Sequence, residues 1–108
     1  MPTSLTLDTV RRDGKLVLIA AGEIDLSNVD TFTRALTTAV TESAGSKARV
    51  TVDLSEVEYL DSAAVNALFA HAEHIHLVVR PLLIRVFTVS GLNELATIET
   101  AQPKQNPG

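Results

Sequence analysis

The stretch Arg49–Phe69, RVTVDLSEVEYLDSAAVNALF, decides the fold of this 108-residue chain. In its first part apolar and polar residues alternate, which is the pattern of a half-buried strand. The apolar positions there are Val50, Val52 and Leu54. After Asp61 and Ser62, apolar residues recur at the spacing of one helix face: Ala64, Val65, Leu68, Phe69 and Ala72. The stretch therefore predicts a strand, a tight loop and the start of a helix.

Asp61 and Ser62 stand at the predicted junction between loop and helix. Either side-chain oxygen can accept a hydrogen bond from a backbone N–H of the first helical turn, so the pair is an N-cap signal. The pair also places a serine hydroxyl at the partly positive end of a helix, on the surface and on a rigid support. That position suits phosphorylation, although a cap by itself does not establish it.

The segments before this stretch predict a hairpin and a helix. Strand-like patterns lie around residues 5–8 and over Leu16–Ala21, and they flank the turn signal Asp13-Gly14. We expect residues 22–26 to form a connection that leads into an amphipathic helix. Ser27 or Asn28 is expected to cap the start of this helix, and Gly45 its end.

The segments after this stretch predict a strand at Ile75–Val79 and a last strand at Leu95–Ile98. Between them, residues 81–91 are ambiguous, because their β-branched residues favour a strand. Arg80-Pro81 leaves no room for a hairpin turn, and proline suits a first helical turn. A helical stripe closed by Gly91 also favours a helix, which is our prediction; the stripe comprises Leu82, Leu83, Val86 and Phe87.

Strands interleaved with helices predict an α/β sandwich. We expect a mixed four- to five-stranded sheet with about three helices, mainly on one face. The length suits a single domain over residues 1–108, with a core at about 4–100 and a flexible tail at 101–108. A net charge of −4 gives no electrostatic case for nucleic acid. No signal peptide or membrane-spanning run is present, so we expect a cytoplasmic protein that does not enter the membrane.

Three short motifs make the chain resemble the STAS domain (sulfate transporter and anti-sigma factor antagonist). They are Gly22-Glu23-Ile24-Asp25, Asp53-Leu54-Ser55 and Asp61-Ser62, and the resemblance covers roughly residues 4–100. The chain is most similar to the small single-domain bacterial anti-sigma factor antagonists. The resemblance implies a STAS-like fold and a non-enzymatic protein that binds an anti-sigma factor and so releases a sigma factor for transcription. It also implies a helix ending at Ser90-Gly91-Leu92, in agreement with the choice above.

The resemblance assigns roles to particular residues. It implies that Ser62 is phosphorylated by the anti-sigma factor, a serine kinase of the histidine-kinase-like ATPase type, and that a phosphatase reverses this. ATP and magnesium then belong to the partner, and the chain itself needs no cofactor. The implied partner-binding residues are Glu23, Asp25, Asp61, Ser62 and Ala63, with Asp25 expected near Asp61. For Asp25, a plain turn or capping role is about equally expected.

Three positions depart from the family pattern. Ala63 replaces a second hydroxyl residue, while Ala64 and Asn66 replace glycines. These departures bear on phosphorylation and on the choice of partner more than on the fold. They leave an alternative open, in which the chain is a STAS interaction module of a signalling assembly that is not phosphorylated.

Metal binding and hydrolysis are disfavoured as functions. His71 and His74 can share a helix face, but nothing completes a familiar zinc pattern, and His76 falls in the next strand. A serine hydrolase is unconvincing because Ser62 lacks the flanking glycines of a nucleophile elbow. There is no cysteine to serve as a metal ligand or a nucleophile.

Overall fold

The structure, a computed structural model, describes residues 4–45 and 48–100. Within these residues it contains five strands and three α-helices. In chain order they are β1 (Leu5–Arg12), β2 (Lys15–Ile24), α1 (Val29–Glu42), β3 (Val50–Leu60), α2 (Ser62–Phe69), β4 (Ile75–Val79), α3 (Ile84–Ser90) and β5 (Thr97–Thr100). Short 3₁₀ turns follow α2, precede α3 and precede β5.

The five strands form one mixed sheet whose spatial order is the order of the sequence. β1 and β2 pair antiparallel, and every later pair is parallel. The hairpin between β1 and β2 turns at Asp13 and Gly14, both with positive φ (52° and 79°), as the tightest hairpin turns require. The predicted α/β class, mixed sheet and three helices are confirmed.

The helices cover one face of the sheet. Connections between parallel strands are right-handed, and here they all step across the sheet in the same direction, so each helix packs on the same side. A row of apolar side chains crosses four strands on that side: Leu18, Val52, Leu77 and Ile98. Fully buried helix residues pack in the same cluster: Phe32, Leu36, Leu68 and Phe87. The opposite face carries polar residues such as Thr51 and His76.

β3 is longer than the sequence predicted. No loop separates residue 54 from the helix, because the strand runs to Leu60. Against β2, the register shifts between Asp53 and Glu56 and again between Val57 and Tyr59. Each shift adds one residue to β3, as in a β-bulge, so the buried residues Leu54, Val57 and Leu60 lie three apart instead of two. The predicted tight loop is wrong.

β2 also continues beyond its predicted end, through Gly22 to Ile24. Gly22 has φ +107°, and a Cβ atom built on it lies 2.3 Å from the carbonyl oxygen of Ser4. That same oxygen accepts a hydrogen bond from the Glu23 N–H at 2.9 Å. A residue without a side chain is therefore needed where the start of β1 pairs with the end of β2. The predicted connection at 22–26 shrinks to four residues, 25–28.

The predicted N-cap of α1 is confirmed in position, and the predicted C-cap is wrong. Asn28 occupies the N-cap position, but neither it nor Ser27 caps the helix through its side chain. At the other end, the C-cap is Ser43 in right-handed geometry, and Gly45 has no positive φ. Both predicted cap residues at the start form hydrogen bonds within the preceding loop instead.

The helix predicted over residues 81–91 is confirmed. It consists of a 3₁₀ turn at Pro81–Leu83 followed by α3, and Gly91 ends it with φ 85°. Its buried stripe is narrower than predicted, because Leu82 is 77% exposed. The last strand begins at Thr97 instead of Leu95, after the 3₁₀ turn Leu92–Glu94. The predicted tail at 101–108 lies outside the described residues.

Candidate functional site

The candidate site lies where β2 and β3 end side by side. Ile24 pairs with Leu60, and the Asp61 N–H donates to the Ile24 carbonyl at 3.1 Å. β2 and β3 therefore end side by side, and Asp25 and Asp61 are the residues that directly follow these two strand ends. Their expected proximity agrees with this register.

Asp61 caps α2. Its backbone is extended (φ −102°, ψ −175°), and one carboxylate oxygen, Oδ1, accepts from the N–H groups of Ala63 at 3.0 Å and Ala64 at 3.3 Å. The carboxylate also lies at the positive end of the helix dipole, which favours its charge. Of the two residues that the sequence offered as a cap, the structure selects the aspartate.

Ser62 is the first residue of α2 and is exposed to solvent. Its hydroxyl has no hydrogen-bond partner among the residues that the structure describes. The residue is held by its neighbours: Asp61 binds the first turn on one side, while Ala64 and Val65 are buried on the other. Ser62 thus presents an open hydroxyl on a fixed backbone.

The loop after β2 is organised around Asp25. The carboxylate Oδ1 of Asp25 accepts from the Ser27 N–H at 2.9 Å and from its hydroxyl at 2.5 Å. The side chain of Asn28 closes the loop, since it accepts from the Asp25 N–H and donates to the Glu23 carbonyl, both at 2.9 Å. These bonds are those of an aspartate that shapes a turn, the second role considered for Asp25. Glu23 and Ser27 are exposed beside it.

A groove between α2 and α3 opens directly beside Ser62. We call it the α2–α3 groove; its volume is about 670 Å³. Its lining is mostly apolar and comes from the end of β3, from both helices and from the turn before α3. The lining residues are Leu60, Asp61, Ser62, Val65, Asn66, Phe69, Leu82, Arg85, Val86, Val89 and Ser90. Sequence reasoning missed this groove.

Two exposed apolar side chains belong to the α2–α3 groove: Leu82, 77% exposed, and Val89, 80% exposed. Together with the apolar walls of the groove, they place exposed apolar surface beside the Ser62 hydroxyl. The exposure of Val89 could have been predicted from the sequence, because Val89 falls outside the helical stripe of residues 83 and 87 that faces the core. The exposure of Leu82 could not, because the predicted buried stripe included it.

The three histidines do not form a site. Nε2 of His71 lies 3.3 Å from the Thr37 hydroxyl, and Nε2 of His76 lies 3.2 Å from the Glu99 carboxylate. His76 is in β4, as predicted, and His74 is exposed at the end of a 3₁₀ turn. Within residues 4–45 and 48–100, no group of three potential ligands is placed to hold a metal ion. In the same residues, no helix has the length and apolar character needed to cross a membrane.

Comparison with known families gives one match, over most of the chain. Residues 7–98 match the family model described as "Mlab, STAS domain". No curated protein sequence matches the chain.

Solved structures share the fold. An anti-sigma factor antagonist from Mycobacterium paratuberculosis is 27% identical with a TM-score of 0.79, and the match covers 88% of this chain and 85% of that one. The anti-sigma factor antagonist SpoIIAA in its unphosphorylated form is 20% identical with a TM-score of 0.67, covering 94% and 90%. The phosphorylated form of the Bacillus protein SpoIIAA is also 20% identical, with a TM-score of 0.62 and 94% of both chains covered.

Proposed function

The chain belongs to the STAS family, and we propose that it acts as an anti-sigma factor antagonist in the cytoplasm. In this role it binds an anti-sigma factor of the serine-kinase type and so releases a sigma factor. The similarity to the mycobacterial antagonist supports the partner class. ATP and magnesium are supplied by the kinase, and this chain contributes the acceptor serine and the docking surface.

The observation that carries the proposal is the open hydroxyl of Ser62 on a fixed helix start. A kinase needs an accessible hydroxyl. When the Ser62 hydroxyl enters a kinase active site, no hydrogen bond within the described part of the protein has to break. Around it lie Asp61 and Ala63, with Glu23 at the end of the neighbouring strand β2 and Asp25 in the loop that follows it. We infer that these residues form the contact surface for the anti-sigma factor.

Phosphorylation switches this surface off by charge. A phosphate adds nearly two negative charges and three acceptor oxygens at Ser62. The helix start tolerates that charge, but the carboxylate of Asp61 is adjacent, and a partner that docked against a neutral hydroxyl must now desolvate an anion. The domain stays folded while binding is lost, and a phosphatase restores it.

A binding assay with candidate kinase-type anti-sigma factors tests the proposal. We expect wild-type protein and Ser62→Ala to bind alike, and Ser62→Glu to bind at least about ten-fold more weakly, a loss of about 1.4 kcal/mol. Thr38→Glu is the matched control, because it adds the same charge at an exposed position on α1. Equal binding by Ser62→Glu and Thr38→Glu contradicts a switch at Ser62.

A second function follows from Ala63, Ala64 and Asn66. Ala63 stands where the family pattern has a second hydroxyl residue, and Ala64 and Asn66 stand where it has glycines. Ala64 is fully buried. The domain would then be an unphosphorylated interaction module in a signalling assembly. Intact-mass measurement on protein purified from its native cells separates the two functions. A species heavier by one phosphoryl group, mapped to Ser62, excludes the second.

A further inference from the structure

The α2–α3 groove has an uneven charge distribution. Val65, Phe69 and Val86 make its walls apolar, and of the lining residues described, only Asp61 and Arg85 carry a charge. One oxygen of the Asp61 carboxylate is engaged by the backbone of α2. The guanidinium of Arg85, in contrast, is exposed and has no hydrogen-bond or ion-pair partner among the described residues.

Ser62 lines the same groove as this unpartnered cation. A phosphate on Ser62 would extend from the start of α2 toward a groove that already holds one free guanidinium. Guanidinium and phosphate match in geometry, because the planar group donates two parallel N–H bonds to two phosphate oxygens.

We propose that Arg85 binds the phosphate group of phosphorylated Ser62 and so links α2 to α3 across the groove. The inference rests on the proposed function in one respect, that Ser62 is the residue modified. Arg85 offsets the repulsion between the phosphate and Asp61. Phosphorylation then changes the surface twice, since it adds an anion beside α2 and takes the groove's free cation away from any partner.

The test uses the full chain with phosphoserine placed at position 62 by codon reassignment, so no kinase is needed. Phosphorus NMR as a function of pH gives the second pKa of the phosphate, which a nearby cation lowers. We expect this pKa to be about half a unit lower in the wild-type background than in Arg85→Gln. Arg34→Gln is the matched control, an exposed helical arginine on α1 away from the groove, and should leave the pKa unchanged.

A second measurement needs no substitution. In ¹⁵N spectra, the Nε–H signal of Arg85 should move when Ser62 carries the phosphate, while that of Arg34 should not.

A further variant belongs to the pKa measurement. Arg85→Lys keeps the charge without the planar fork, so it should retain part of the pKa shift.

The proposal is overturned if the phosphate pKa is the same with Arg85 and with Arg85→Gln, and the Nε–H signal does not move. This failure is distinct from failure of the proposed function. If the anti-sigma factor never modifies Ser62, the encoded phosphoserine still reports on Arg85. If Arg85 makes no contact, Ser62→Glu can still abolish partner binding through charge alone.

Discussion

Asp61 and Ser62 are adjacent in sequence but have separate tasks in the structure. The Asp61 side chain completes the first turn of α2, and the Ser62 hydroxyl faces solvent without a described partner. This division matters for function, because a serine that capped the helix would lose a stabilising bond on modification. Here the capping bonds come from the Asp61 carboxylate, so a change at the Ser62 hydroxyl removes none of them.

Substitution of each residue by alanine should separate these tasks. We expect Asp61→Ala to lower the free energy of unfolding by about 1 kcal/mol, the usual cost of a lost N-cap. Ser62→Ala, its matched control, should change stability by less than about 0.5 kcal/mol, because no hydrogen bond is lost. Urea denaturation of both variants checks this. A larger loss for Ser62→Ala than for Asp61→Ala contradicts the assignment of the cap.

The sequence predicted that Asp61 and Ser62 lie at the start of a helix, but it could not decide which of the two is the N-cap. Aspartate and serine are both favoured N-cap residues, so composition does not discriminate between them. The backbone decides, since Asp61 is extended and Ser62 already helical. Arg85 was missed for a different reason: a charged residue on a helix carries no signal of the cavity that it will line.

The pairing of the start of β1 with the end of β2 depends on a single glycine. Gly22 combines a positive φ with backbone contact to Ser4, so Gly22→Ala meets both strain and a clash. We expect a loss of about 2 kcal/mol or more in the free energy of unfolding. Gly45→Ala is the control, since Gly45 has no positive φ and a Cβ atom added there would meet nothing within 4 Å beyond its chain neighbours. It should be neutral in the same denaturation experiment.

Among the strands and helices, β3 shows what hydrophobic spacing can and cannot predict. Its first half alternates and was predicted, whereas its second half buries every third residue through Val57 and Leu60. A spacing of three is indistinguishable from a loop or a short helix when the bulges are not known. The strand is recognisable only from its pairing with β2, which is a property of the tertiary structure.

Helix α3 should tolerate change on one face only. Phe87 is fully buried, so Phe87→Ala should lower the free energy of unfolding by about 3–5 kcal/mol. Val89→Ser, two residues on, replaces a side chain that is 80% exposed and should cost less than about 0.5 kcal/mol. Thermal and urea denaturation of the pair measure the contrast. Comparable losses for both variants are incompatible with the orientation of this helix.

The topology of the sheet places the candidate site at the carboxyl ends of its parallel strands. β2 and β3 are parallel, so Asp25 and Asp61 follow strand ends on the same edge, where open α/β sheets usually bind their ligands. This juxtaposition was predictable once the motifs at 22–25 and 61–62 were placed after parallel strands. The α2–α3 groove was not, because its shape depends on how two helices pack on the sheet.

The sheet should also be unequally stable from its centre to its edges. β3 pairs on both sides and holds five buried residues, whereas β5 has four residues, one neighbouring strand and none buried. Local opening is easiest where few apolar contacts and few strand partners resist it. We expect the hydrogen-bonded amides of β5 to exchange at least about ten-fold faster than those of β3 in native-state hydrogen exchange. Because α2 starts directly after β3, equal exchange in the two strands would contradict the inference that Ser62 follows a strand more stable than β5.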